Sequence, residues 1–250
     1  MRTISAYTTV TNAIEREYCV EEAIHSVLRF ADEVIVLDGG STDGTLDLIF
    51  SIGDPRIKVY HMEWLHNIGI GIYGIAKSLS LARCTSDWCV LFDADEVYHE
   101  MDSDKIKKIP QSVSDNIVAL RFNTVHFYKD YNHILNGYKD WKDLYTEKVY
   151  MVRNHMGIYH GNINGDPDNF LLRNGQPIPA NKTVLLDIPV FHYGHVRSEN
   201  ALLAKKNRME RYWHGDVTYD KIDWIPTEKL TKFDGSHPAV MKERIDAYKS

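Results

Sequence analysis

The sequence predicts one α/β domain whose mainly parallel central sheet is flanked by helices. Three observations carry that expectation. Short apolar runs alternate with helical patterns through residue 96, the signature of parallel strands joined by crossover helices. Two of the runs, 34–37 (VIVL) and 88–92 (WCVLF), are apolar without interruption, as strands covered on both faces are. The chain has 250 residues, 44% of them apolar, enough for a substantial core in one compact unit with at most a small second lobe.

Residues 3–10 read as the first strand. From Val20, the positions Ala23, Ile24, Val27 and Leu28 follow at helical spacing, so 19–30 reads as an amphipathic helix. The run 34–37 is a central strand ending at Asp38-Gly39-Gly40, and a turn leads into a helix over 42–52. Ile57 and Val59 mark a third strand, and Ile72, Ile75, Ala76, Leu79 and Ala82 mark one face of a helix ending near Arg83. The fourth strand, 88–92, runs straight into Asp93-Ala94-Asp95-Glu96. Beyond it the pattern is less regular. Strands read over 117–122 and 148–152, with a Tyr, Asp and Lys rich insertion over 128–145 that suits an acceptor-facing surface. Proline and glycine punctuate 157–180, a strand-like run spans 187–193, and a helical pattern spans 199–213. A polar, aromatic-bearing tail follows residue 215. A soft boundary near residue 98 divides one domain into halves, 1–98 and 99–250.

Composition narrows the function. Lys and Arg number 29 against 35 Asp and Glu, with no long basic run, which argues against nucleic acid as a partner. Cys19, Cys84 and Cys89 lack zinc-ligand spacing and are too few for a disulfide framework, so they read as core thiols of a reducing compartment. No segment has the apolar length of a signal peptide or a membrane span; the expectation is a soluble, cytoplasmic protein, with peripheral membrane contact through a surface patch left open.

Asp93 and Asp95 bracket one small residue where a buried strand gives out, the place where open α/β sheets bind their ligands. An isolated D-x-D is usually a solvated surface triplet. Here WCVLF delivers the acids from the interior, and buried acids need a partner. Two carboxylates suit a hard cation such as Mg²⁺ or Mn²⁺, which takes one or two carboxylates and completes its shell with phosphates and water. The stretch Asp38-Gly39-Gly40-Ser41-Thr42-Asp43-Gly44-Thr45 offers glycines for close backbone approach and Ser41, Thr42 and Asp43 as caps for the next helix. It reads as a well-made turn, except that Asp38 closes an apolar strand and can accept hydrogen bonds from a nucleobase or ribose.

The segments ISAYTTVTN, ADEVIVLDGGSTDGT and DWCVLFDADE, in this order, resemble glycosyltransferase family 2, most strongly over residues 3–98. With FHYGHVR they are similar to its lipopolysaccharide-core glucosyltransferase branch, although TVTNAIERE is longer than the usual T-x-N-E and GNINGDPDN replaces an expected His-Glu. The resemblance implies the GT-A fold, a nucleotide diphosphate sugar donor bound by the 1–98 half, UDP-linked by expectation, a glycan or other hydroxyl acceptor on the 99–250 side, and Mn²⁺ or Mg²⁺. It assigns Thr9, Thr11 and Asp38 to the nucleotide, Asp93 to ribose or metal, and Asp95 to the metal.

The resemblance also implies inversion, which needs a base for the acceptor hydroxyl. Asp166 and Asp168 stand at about the right place, in a segment that reads equally as a turn. His192 and His195 are alternatives, as a further metal ligand or a phosphate contact. Lys77, on the helix before the D-x-D strand, can reach a diphosphate, although a solvated helix face is the stronger reading. Tyr138, Trp141 and Tyr145 can stack on sugars or cover the core. Two rival readings stand beside this one: a nucleotidyltransferase, which would carry a glycine-rich basic loop where TVTNAIERE has no glycine, and a sugar-nucleotide binding module without turnover.

Overall fold

The structure, a computed structural model, describes residues 2–65, 68–135, 145–161, 169–215 and 217–249. Four strands come first: β1 (Ile4–Val10), β2 (Glu33–Asp38), β3 (Ile57–His61) and β4 (Trp88–Leu91), joined by α1 (Val20–Val27), α2 (Thr45–Ser51) and α3 (Gly71–Leu81). They pair in parallel in the spatial order β3-β2-β1-β4, so 34–37 and 88–92 belong to one sheet as expected. The chain steps outward from β1 through β2 to β3, then returns to place β4 on the other side of β1. That reversal opens a crevice at the carboxyl ends of β1 and β4, where neighbouring connections leave in opposite directions.

After β4 come β5 (Glu96–Tyr98), α4 (Ser103–Ser112), β6 (Ala119–Tyr128), β7 (His133–Ile134), β8 (Glu147–Arg153), β9 (Tyr159–His160), β10 (Phe170–Leu171), β11 (Thr183–His195), α5 (Glu199–His214), β12 (Thr231–Lys232) and α6 (Lys242–Lys249). β8 lies antiparallel between β4 and β6, while the long β11 runs parallel to β6 and antiparallel to β5. The parallel sheet of the first half thus continues into a mixed sheet, and β11 returns the second half to the acidic turn. One large cluster (Ile24, Val34, Trp88, Phe122, Tyr150 and others) forms the core on the α1 side, and a smaller one around Tyr7, Ile35 and Leu91 lies on the other face.

Three expectations need correction. In α3 the buried stripe is Ile72, Ala76 and Ser80, with Lys77 and Leu81 beside it, whereas Ile75 and Leu79 are 42% and 38% exposed. The expected stripe ranked positions by apolarity, and the packing follows i, i+4 geometry against β1 and β2 instead. Lys77 is therefore not on a solvated face: it is 4% exposed. The residues after 215 are not only a tail, because α6 docks Ile245 into the core and its Arg244 pairs with Glu22 of α1 at 2.6 Å. α4 had no expectation; its buried Ile106 and Ile109 are too few apolar positions among charged residues to stand out.

Candidate active site

At the ends of β1 and β2 the backbone draws together. The Gly39 amide donates to the Val10 carbonyl at 2.8 Å, and a side chain at Gly39 would fall 2.4 Å from Thr11 Oγ1 and 2.7 Å from the Trp64 ring. The glycine here is a steric requirement of the crevice. Thr11 Oγ1 is buried with no hydrogen-bond partner among the described residues, an unmet polar group of the kind a ligand satisfies. Asp38 is 1% exposed; it accepts hydrogen bonds from the Gly40 and Ser41 amides and holds His61 Nδ1 at 3.1 Å. Its carboxylate organises the turn. Asp43 does the same one step later, accepting from the Thr45 and Glu15 amides, while Gly44 in the left-handed region opens α2.

The Asp93-Ala94-Asp95-Glu96 turn is locked by its last residue. Glu96 Oε2 accepts the Asp93 amide at 3.0 Å while the Glu96 amide donates to the Asp93 carbonyl at 3.0 Å. Glu96 Oε1 takes the Tyr150 hydroxyl and the Lys148 ammonium, each at 2.8 Å. Asp93 is ion-paired with Lys77 at 2.9 Å and Lys148 at 3.4 Å. Burial pushes the Asp93 carboxyl up, but Lys77 and Lys148 outweigh it and hold the group well below the usual carboxylate range. Burial raises Glu96, and Lys148 only partly offsets it.

Asp95 faces a different set of partners. Its Oδ2 accepts from Arg197 at 2.6 Å, with Lys205 of α5 at 3.7 Å. Its Oδ1 accepts no hydrogen bond from the described residues and lies 3.6 Å from His192 Nε2. That separation is too long for a hydrogen bond. An oxygen and imidazole donor pair would suit a cation such as Mn²⁺. Among the described residues no group of three or more His, Cys, Asp or Glu converges on one point. Asp95 Oδ1 and His192 Nε2 are two candidate donors, and a cation also bound to substrate phosphates would need no more from the protein.

His192 reaches this place through a break in strand register. β11 shifts relative to β6 between His192 and His195, and a side chain at Gly194 would stand 2.4 Å from His192 Nε2 and 2.9 Å from Asp95 Oδ2. The bulge and its glycine re-aim the imidazole toward the acidic turn. They also bring His195 within 5.6 Å of the His192 ring, where it packs on Tyr128. Burial lowers His192 to about 3 and its neighbour His126 to about 4.

Sequence reasoning missed much of the electropositive lining. Lys148 comes from β8, Arg197 from just after β11, and Lys205 and Arg208 from α5; Arg208 lies close to the Tyr73 phenol, and its buried Nε has no hydrogen-bond partner among the described residues. The field is strong: burial raises the Tyr18 phenol, yet Lys205, Arg197 and Arg208 together pull it below its ordinary value. The structure brings Asp93, Asp95, Lys77 and His192 together and places Thr11 and Asp38 along the same strand ends, with the half-buried Thr9 opposite Leu37 in β1. Asp166 and Asp168, with Tyr138 and Trp141, lie outside the described residues. The Tyr145 carbonyl binds His126 Nε2 at 2.6 Å. Cys19, Cys84 and Cys89 are buried and free, and among the described residues no helix is long and apolar enough to cross a membrane.

The model of the family described as glycosyl transferase family 2 matches residues 5–165. The chain is 24% identical over 195 residues to the SPbeta prophage-derived glycosyltransferase SunS of Bacillus subtilis, covering 76% of this chain and 40% of that protein. It is 30% identical over 222 residues to an uncharacterized glycosyltransferase of Rickettsia bellii, covering 88% of this chain and 67% of the relative. The chain thus spans about two fifths of SunS and two thirds of the Rickettsia protein. Among solved structures, TarS 1–349 of S. aureus superposes with a TM-score of 0.51 at 17% identity, covering 84% of this chain and 72% of that one. The mannosyltransferase PcManGT of Pyrobaculum calidifontis, in complex with GDP-Man and Mn²⁺, gives 0.52 at 13%, covering 84% and 61%. The fold is the GT-A fold. On the family match, the chain belongs to glycosyltransferase family 2.

Proposed function

We propose that the protein is a metal-dependent, inverting glycosyltransferase that moves a sugar from a nucleotide diphosphate donor, a UDP-sugar by preference, to a hydroxyl of a glycan or other acceptor. The observation that carries the reading is the pairing of Asp95 Oδ1, which accepts no hydrogen bond from the described residues, with His192 Nε2 at 3.6 Å, inside a ring of lysines and arginines. A half-site for a cation beside surplus positive charge is what a diphosphate leaving group needs. The family membership and the fold likeness to TarS, also solved with UDP-GlcNAc, and to PcManGT, solved with GDP-Man and Mn²⁺, support it. The three buried, free cysteines support a cytoplasmic location.

Each residue then has a task. Thr11 Oγ1 meets the nucleoside in the crevice that Gly39 keeps open; Thr9 and the turn organised by Asp38 form its wall. Asp93 faces the ribose, with Lys77 and Lys148 fixing its carboxylate. Asp95, with His192, would hold Mn²⁺ or Mg²⁺, which when bound neutralises charge on the departing diphosphate. Lys205 and Arg208 face the same phosphates from α5 and need no metal to do so. The acceptor hydroxyl gives its proton to a carboxylate as its oxygen attacks the anomeric carbon, and the bond to the diphosphate oxygen breaks on the opposite face. Asp166 is our choice for that base, with Asp168 as substitute.

A screen of sugar nucleotides for thermal stabilisation, with Mn²⁺ and with chelator, tests the reading. A ligand selective for the folded state raises stability by mass action. The expected result is stabilisation by UDP-sugars that chelator removes. Stabilisation by a nucleoside triphosphate and by no sugar nucleotide would favour a nucleotidyltransferase instead. Asp166→Asn and Asp168→Asn are then compared for turnover and donor binding separately; loss of a positioned base costs about 10²–10⁴-fold in rate.

A further inference from the structure

The His192 imidazole has two nitrogens, and only a nitrogen without a proton can bind a cation. Which one is bare depends on the other. His192 Nδ1 lies 3.0 Å from Nδ1 of His126, a β6 residue with 1% exposure. One proton, and only one, is shared between those two atoms. The second nitrogen of His126, Nε2, lies 2.6 Å from the Tyr145 carbonyl oxygen. A carbonyl oxygen has no proton to give, so His126 Nε2 carries one.

His126 is buried, and with its proton on Nε2 its Nδ1 faces His192 Nδ1 as an acceptor. His192 then donates from Nδ1, and its Nε2 is the nitrogen turned toward Asp95 Oδ1, 3.6 Å away. A cation beside Asp95 would take that nitrogen.

We infer that His126 is a positioning residue for the metal site: held by the Tyr145 carbonyl, it fixes His192 as the Nδ1–H tautomer and leaves His192 Nε2 as the nitrogen that binds the cation beside Asp95. The inference rests on the metal-dependent reading above and adds to it a residue on a strand outside every motif that announced the site. A metal-bound imidazole is commonly oriented by the hydrogen bond of its other nitrogen, and loss of that partner costs about 10–100-fold in metal affinity. The unusual element is that the orienting acceptor is a second histidine, itself set by a main-chain carbonyl.

Two measurements on the full chain test it. Long-range proton–nitrogen NMR correlations on metal-free, ¹⁵N-histidine-labelled protein, with His192 identified by its absence from His192→Ala, report the tautomer directly; Nδ1–H is expected. Mn²⁺ titration by electron paramagnetic resonance, in the presence of UDP, is then compared for wild type, His126→Phe and His126→Asn. The Phe variant keeps an aromatic ring but removes the acceptor, and should bind Mn²⁺ about 10–100-fold more weakly. The Asn variant restores an acceptor near the Nδ1 position and should recover most of the affinity, which a purely structural role for the ring would not produce. An Nε2–H tautomer for His192, or unchanged Mn²⁺ affinity in a folded His126→Phe, overturns the inference alone. Wild-type protein that binds no Mn²⁺ with UDP overturns the metal reading, and the ligand role with it.

Discussion

The two carboxylates of one turn are served by different parts of the molecule. Asp93 is neutralised by lysines from α3 and β8, point charges on flexible stems. Asp95 is fixed by Arg197 through one oxygen, while the other is left to face His192. Of all these partners only Lys77 belongs to the first half of the chain. The parallel half supplies the acids and the turn organised by Asp38; the mixed half supplies Lys148, His192, Arg197 and Lys205. The contrast separates two environments: Asp93 is held as a charged acceptor between two lysines, and Asp95 is held by Arg197 through one oxygen with the other turned toward His192.

The largest effect should come from the lysine shared between the acids. Lys148→Met leaves Glu96 and part of Asp93 without a counter-charge in a buried place, and removing one partner of a buried pair costs about 3–5 kcal/mol. Chemical denaturation measures it. A loss comparable to that of a surface lysine would mean that the network is solvated and the two acids are less distinct than described.

The histidines should make stability depend on pH. In the unfolded chain each ring takes up a proton near its ordinary value of 6.5, whereas the folded protein admits it only near about 4 at His126 and about 3 at His192. Between these values the unfolded state binds more protons, so stability is full above pH 6.5 and declines as pH falls toward 4. For His126 the shift corresponds to about 3 kcal/mol. Denaturation midpoints across this range should fall less steeply in His126→Phe than in wild type; equal slopes would show that the ring is not held neutral.

Gly194→Ala separates the two carboxylates most sharply. Its Cβ would meet His192 Nε2 at 2.4 Å and Asp95 Oδ2 at 2.9 Å, pressing directly on the Asp95 side of the turn. Metal-dependent donor affinity should fall by about 10–100-fold, as when a ligand's orientation is lost. Calorimetric titration reads this, and an unchanged affinity would mean that the β11 bulge plays no part in the site. The smallest effect is expected on α3. Ile75→Ser and Leu79→Ser should each cost about 1 kcal/mol, because 42% and 38% of these residues stay exposed, whereas Ile72→Ser, at a fully buried position, should be severe.

The same contrast explains what the sequence made legible. VIVL before Asp38 and WCVLF before Asp93 announce buried strands that end in acids, because strand, turn and acid are contiguous. The crevice between β1 and β4 follows from connection order alone. The cations were not legible, since Lys148, Arg197 and Lys205 are three among 29 Lys and Arg and reach the turn only through tertiary packing. Lys77 was misread because the five apolar positions Ile72, Ile75, Ala76, Leu79 and Ala82 suggested a different buried face. One signal stood in plain view: in ALRFNTVHFY the alternation places Thr124 and His126 on the buried face with Leu120 and Phe122, and polar residues on a core face need partners. FHYGHVR held another, a glycine between two histidines that ordinary strand alternation would send to opposite faces.

The central claim is that Asp95 with His192 holds a cation on which donor binding depends. Isothermal titration of a UDP-sugar into wild type and Asp95→Asn, each with Mn²⁺ and with chelator, tests it most directly. Asparagine keeps an oxygen that can accept from Arg197, so the variant should fold, as circular dichroism would verify. The account predicts binding by wild type that chelator weakens strongly, and weak, chelator-insensitive binding by the variant. Equal donor affinity in all four titrations would contradict it, and would assign the diphosphate to the lysines and arginines alone.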